Sequence, residues 1–286
     1  MRALVLSGGG AKGAYQVGAL KRLMAEHLHD YKILCGVSVG ALNVAALSMV
    51  PHGNPREAWA KLSSFWSGLD TSKVYKKRIL GIASGLWNDS IYDSTPLIER
   101  VRRELDVRAI AASGRMLRVG AVCLETGEYR TATENEQGLA DWVLASSSFP
   151  CFLKPMRIEG RMWSDGGLRN VTPLGEAIKL GADEIDVVLC SNPDMPNVWN
   201  ANGQHAFPGY ALRALDIMAD EIVRTDLEVA GLKNDLSQLR PEYRNVRIRI
   251  IQPSAPLPSD SLDFSPGPAK MMHDLGYEDA GMLRGT

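Results

Sequence analysis

The sequence predicts an α/β protein whose mainly parallel sheet carries helices on both faces. Two observations lead there. Short apolar, β-prone runs alternate with helix-period segments at both ends of the chain, the pattern of strand, crossover helix and parallel strand. Twice, a strand also runs into a helix through a glycine-containing turn, at Ser7-Gly8-Gly9-Gly10 and at Gly36-Val37-Ser38-Val39-Gly40.

Taken in order, residues 2–6 form a strand that stops in glycines, and Ala14, Val17, Leu20, Leu23 and Met24 repeat with helical spacing from Ala11 onward. Residues 32–37 read as a second buried strand and 39–50 as an apolar helix, with Ser38 alone between them. Leu97, Ile98, Val101 and Leu105 mark an amphipathic helix, with Pro96 at its start. Strands over 117–124 and 129–133 flank Glu125-Thr126-Gly127-Glu128, a hairpin signal. A helix over 139–146 is stopped by Phe149-Pro150, and residues 157–163 make a tight hairpin that delivers Asp165-Gly166-Gly167. A helix over 174–180, a strand over 184–190, a long helix over 211–239, a strand over 246–251 and a helix over 268–282 complete the chain. Residues 192–209 and 252–268 read as long surface loops. The 286 residues are expected to form a single domain over 1–286.

Composition narrows the function. With 45% hydrophobic residues the chain can bury a large core, which excludes disorder as its main state. Its 32 Lys+Arg against 33 Asp+Glu, net −1, argue against a polyanion binder, so no nucleic-acid partner is expected. The start of the chain has no secretory pattern, and residues 41–50 fall far short of the roughly 20 apolar residues a spanning helix needs. A soluble, cytoplasmic protein is the expectation. Cys35, Cys123, Cys151 and Cys190 are scattered without a Cys-x-x-Cys pair, which suits small buried residues in a reducing compartment rather than a metal site.

Gly36-Val37-Ser38-Val39-Gly40 carries the strongest chemical signal. A serine on a strained strand-to-helix turn presents its hydroxyl at the sheet edge, and its flanking positions must be small where backbone and helix come close. The Val39 N–H and the helix start would favour developing negative charge. Gly8-Gly9-Gly10-Ala11-Lys12-Gly13 also fits a dinucleotide fingerprint, but that reading needs an acidic residue at the end of the second strand. Asp30 precedes the strand, and Ser38 holds its end. A Walker loop fails because Ala14-Tyr15 stand where Lys-Ser/Thr is required. What remains is a strip of unhindered N–H groups suited to an oxyanion, or a glycine turn used only for close packing.

No histidine stands out as the base for Ser38. His27 and His29 close the first helix, His52 lies beyond the second, His205 sits in a loop and His273 on a surface helix. Asp165-Gly166-Gly167 does stand out: the glycines let the chain turn tightly beside a carboxylate, and a buried, positioned carboxylate can accept a serine proton. On its own such a tripeptide is more often a turn.

These three motifs, in this order, resemble the patatin-like phospholipase family. The likeness continues through Ala145-Ser146-Ser147-Ser148-Phe149-Pro150, Asn170-x-x-Pro173 and Gly181-Ala182-Asp183-Glu184-Ile185, and covers most of residues 1–190. It implies a three-layer α/β/α fold and hydrolysis of lipid acyl esters by a Ser38–Asp165 dyad, with no cofactor and no metal. Gly8, Gly9, Gly10 and Val39 then supply the oxyanion hole, and Lys12, Gly13, Gly36, Gly40, Gly166 and Gly167 complete the motifs. Lys12 either orients the loop, faces a lipid head group, or is a solvated helix-start lysine. The run from Lys76 to Trp87 mixes cations with apolar residues; it reads as a cover over the acyl site, a peripheral membrane contact, or an ordinary helix with a solvated basic end. The rivals are a non-catalytic regulatory or lipid-binding relative and a dinucleotide-binding oxidoreductase.

Overall fold

The structure, a computed structural model, describes residues 1–78, 89–195, 207–237, 239–240, 245–257 and 261–282. In chain order its elements are β1 (Arg2–Leu6), α1 (Gly13–Leu20), β2 (Ile33–Val37), α2 (Val39–Ser48), α3 (Pro55–Trp66), α4 (Thr71–Val74), β3 (Lys76–Lys77) and β4 (Tyr92–Asp93). There follow α5 (Thr95–Glu104), α6 (Val107–Ala112), β5 (Met116–Cys123), β6 (Tyr129–Thr133), α7 (Leu139–Ser146), β7 (Met156–Ile158) and β8 (Arg161–Asp165). The chain ends through α8 (Leu174–Lys179), β9 (Glu184–Val188), α9 (Phe207–Ser237), β10 (Arg247–Ile251) and α10 (Pro266–Gly281).

The main sheet runs β10-β9-β1-β2-β5-β8-β7, with β6 also on β5. From β10 to β5 every pair is parallel, whereas β6, β7 and β8 join antiparallel. β1 and β2 are apolar along their whole buried length, as strands covered on both faces must be. One core lies on the face of α1, α2 and α7, around Leu4, Leu6, Tyr15, Leu34 and Trp142. The other face is closed by α8 and α9 over Val5, Ile33, Ile185 and Val223. The fold is thus the three-layer α/β/α arrangement expected.

The antiparallel strands set up the site. β6 occupies one edge of β5 over Arg118–Val122, so β2 and β8 share the other. β2 pairs up to Val37↔Gly120 and β8 takes over at Ala121↔Asp165. Ser38, the residue after β2, and Asp165, the last of β8, are therefore brought to one junction.

Several sequence expectations are corrected. The first helix begins with a 3₁₀ turn over Gly10–Lys12 and ends in a π turn over Lys21–Glu26. Helix α3 was not anticipated, although its buried Ala58, Leu62 and Phe65 have helical spacing. Lys76 and Lys77 form a short strand against Tyr92–Asp93 rather than starting a helix, and residues 79–87 of the basic run lie outside the described residues. Much of the loop over 192–209, including His205, lies outside them too. Cys35, Cys123 and Cys190 are buried, but Cys151 is exposed.

His29 does not close a helix. It faces Asp186 of β9 (3.4 Å) together with Arg249 of β10, whose guanidinium donates to both carboxylate oxygens (2.6 and 2.7 Å), and Tyr31, whose hydroxyl donates at 2.7 Å. Asp186 is 1% exposed. Burial opposes its charge, yet these partners hold its carboxyl below the usual range. Asp186→Ala, which leaves Arg249 uncompensated, is expected to cost about 3–5 kcal/mol of stability, read as a lower urea midpoint.

Candidate active site

Ser38 sits between β2 and α2 at φ 58°, ψ −129°, a region an L-residue occupies only when its surroundings enforce it. The enforcement is visible in the two flanking glycines. A Cβ on Gly36 would overlap the backbone of Gly40, and one on Gly40 would overlap the backbone of Leu6 and Ser7. The elbow thus exists because both positions lack side chains.

Asp165 is 2% exposed at the end of β8. Its Oδ1 accepts the Gly167 N–H at 2.8 Å and so caps the turn over Gly166–Leu168 that follows. Its Oδ2 has no hydrogen-bond partner among the described residues. Burial pushes this carboxyl up to about 7, while the Ser38 side chain and the Gly167 N–H pull it back. The Ser38 side chain is thus near enough to favour the charged carboxylate, although Oδ2 accepts no fully formed hydrogen bond, a common state of catalytic pairs before substrate arrives. Gly166 is pressed on the carbonyl of Gly120 and on Val37, which locks the turn to the β2–β5 junction.

The glycine loop lies across from this pair. The Gly8 N–H donates to the Val171 carbonyl (3.1 Å) and Ala11 N–H to Ser261 (2.9 Å), so both ends are tied down. No acceptor among the described residues takes the N–H of Gly9, Gly10 or Val39. The Gly8 N–H is thus engaged in anchoring the loop, whereas those of Gly9 and Gly10 are open. Gly9 and Gly10 both have positive φ (157° and 57°). A Cβ on Gly10 would overlap the Ser261 carbonyl, and one on Gly13 would overlap Val39. Gly10→Ala is expected to lower turnover about 10²-fold, because loop and donor move together; steady-state kinetics check this.

All of this opens on a cavity of about 190 Å³ bordered by Gly8, Gly9, Gly10, Ser38, Val39 and Asp165. Its walls are largely apolar, with Phe65, Leu97, Phe149, Leu215, Ile222 and Phe264 among them. Lys12 is half-buried at its edge. Its charge counters the burial of Asp216, the α9 carboxyl across the cavity, which is displaced upward chiefly by burial.

Sequence reasoning missed the wall built by α9 and by Leu262 and Phe264. Apolar spacing marked α9 as a packed helix without showing what it packs against. Among the described residues no helix is long and apolar enough to cross a membrane, and no three His, Cys, Asp or Glu side chains are placed to hold a metal ion.

The model of the patatin-like phospholipase family matches residues 4–178. The chain belongs to this family. Among curated proteins it resembles the uncharacterized protein YjjU of Escherichia coli (strain K12), 23% identical over 192 residues that cover 65% of this chain and 51% of that one. Among solved structures it resembles VipD from Legionella pneumophila, with a TM-score of 0.54 and 15% identity, covering 99% of this chain and 66% of that chain. The chain thus spans about half the length of the curated relative and two thirds of the structural one, and the latter likeness is one of fold.

Proposed function

We propose that this patatin-like protein is a serine acyl hydrolase that cleaves carboxylic esters of lipids by way of Ser38 and Asp165. The observation that carries the reading is the buried carboxylate with a free Oδ2 facing a serine on a strained elbow, both at the mouth of an apolar cavity. Asp165 takes the Ser38 proton as Oγ attacks the ester carbonyl carbon. The tetrahedral oxyanion is held by the N–H groups of Gly9, Gly10 and Val39. On collapse, protonated Asp165 gives its proton to the leaving alcohol, and the acyl group stays on Ser38. Water, deprotonated by Asp165, then attacks the acyl carbonyl; on collapse of this second intermediate Asp165 returns the proton to Ser38 Oγ, and the fatty acid leaves.

The apolar walls suit an acyl chain, and their burial of Asp165 raises the basicity of a carboxyl otherwise too weak for the task. A fluorophosphonate is expected to label Ser38 stoichiometrically and to block release of fatty acid from defined phospholipid and monoacyl esters. Labelling at another residue, or ester hydrolysis that survives full labelling, would sink the reading.

The basic form of Asp165 is the one required, so kcat/KM is expected to rise with pH through about 7 and then level off. A profile already flat from pH 5 upward contradicts this role.

A further inference from the structure

We infer that Ser146 and Ser147, at the end of α7, are positioning residues that hold the nucleophile elbow and tie it to the aspartate. The inference rests on the Ser38–Asp165 reading above. The ladders on β2 end at Gly36 on the β1 side and at Val37 on the β5 side, so the backbone polar groups of Ser38 lie beyond sheet pairing. A buried N–H without a partner is costly, and here it is met from outside the sheet. The Ser38 N–H donates to Ser146 Oγ at 3.0 Å, and Ser147 Oγ donates to the Ser38 carbonyl at 3.2 Å. The two hydroxyls therefore grip the strained residue on both sides of its Cα. Ser146 is fully buried and Ser147 nearly so, which keeps water from replacing either bond.

The next residue completes the link. The Ser148 carbonyl accepts the Asp165 N–H (3.2 Å) and the Ser164 hydroxyl (2.7 Å). Three consecutive residues thus contact the nucleophile on one side and the proton acceptor on the other. Ser38 follows β2 and Asp165 ends β8, two strands that do not pair with each other, and residues 146–148 at the end of α7 bridge them. The single Ser147 hydroxyl proton is shared between the Ser38 carbonyl and the nearer Val143 carbonyl (2.9 Å), so this half of the grip is the weaker one and is anchored in the helix itself.

The test compares Ser146→Ala and Ser147→Ala with Ser48→Ala. Ser48 is an equally buried helix serine whose hydroxyl bonds the Val44 carbonyl, away from the site. Ser146→Ala is expected to lower kcat about 10–100-fold, and Ser147→Ala about 3–10-fold, with KM within about twofold. The rate of fluorophosphonate labelling falls in parallel. The acid limb of the pH profile stays near its wild-type position, because the surroundings of Asp165 are untouched, while Ser48→Ala keeps its kcat. Ser147→Ala reads the inference by itself if Ser146→Ala does not fold, since the Ser38 carbonyl still accepts from Ala41 and Leu42. The inference is overturned if kcat in the folded variants matches that of Ser48→Ala, or if the loss falls on KM. A parallel Ser38→Ala arm separates the two readings: hydrolysis surviving there overturns the dyad itself, whatever the clamp variants do.

Discussion

Ser38→Ala is expected to remove about 10⁴-fold or more of ester turnover while the protein stays folded. The size follows from the chemistry: without Oγ there is no acyl-enzyme, and what remains is attack by water on an ester held near the donors of Gly9, Gly10 and Val39. The fold is spared because alanine keeps the Cβ and the backbone bonds to Ser146 and Ser147. Turnover of acyl esters measured beside thermal unfolding checks both halves. Ser38→Gly sharpens the contrast, because glycine tolerates φ 58°; it should be as inactive but more stable by about 1 kcal/mol. Substantial hydrolysis by either variant would refute the proposed nucleophile.

Asp165→Asn is expected to abolish turnover to a similar degree and to raise stability above neutral pH. An amide cannot accept the Ser38 proton, yet its oxygen can keep the Gly167 N–H. The sign of the stability change follows from proton linkage. The carboxyl ionises near 3.8 in the unfolded chain and at about 7 in the folded one, so across that window the folded state binds more protons. Stability contributed by this group is complete below about pH 4, declines as pH rises towards 7, and stays low beyond. At pH 8 the wild-type protein carries a buried, incompletely paired charge that costs a few kcal/mol, about 1.4 for each tenfold displacement in ionisation. The asparagine variant escapes that cost. Urea unfolding of both proteins at pH 4.5 and pH 8 should show a gap in favour of the variant that widens at the higher pH. A variant less stable at pH 8 than at pH 4.5, relative to wild type, would contradict the burial of an ionisable carboxyl.

Where backbone chemistry is local, the sequence was readable. The step from β2 into α2 needs glycine on both sides of Ser38 for steric reasons contained in five residues, and the helix over 139–146 and the strand over 129–133 follow from periodicity and the breakers beside them. The turn at Asp165 was legible in part: two glycines signalled tightness, but the reason Gly166 must lack a side chain is its contact with Gly120 and Val37, both far away in the chain. His29 shows how such reasoning goes astray. Its position near a helix end suggested a cap, but the nearest carboxylate is Asp186, which only strand pairing brings alongside. The engagement of the Gly8 N–H was illegible for the same reason, since its partner Val171 lies beyond the Asp165 turn.

By itself, then, the sequence determined the α/β class, the elbow serine, the open glycine loop and the candidate aspartate, because each rests on the steric needs of a few adjacent residues. Only the tertiary structure decided that β2 and β8 share one edge of β5, which brings Ser38 and Asp165 together and leaves Oδ2 unpartnered. It also decided that α7 grips the elbow and that α9 closes the apolar cavity above it. Those contacts join residues from 44 (Ala121 and Asp165) to 109 (Ser38 and Ser147) positions apart, and edge sharing and burial are properties of the assembled sheet that no local pattern encodes.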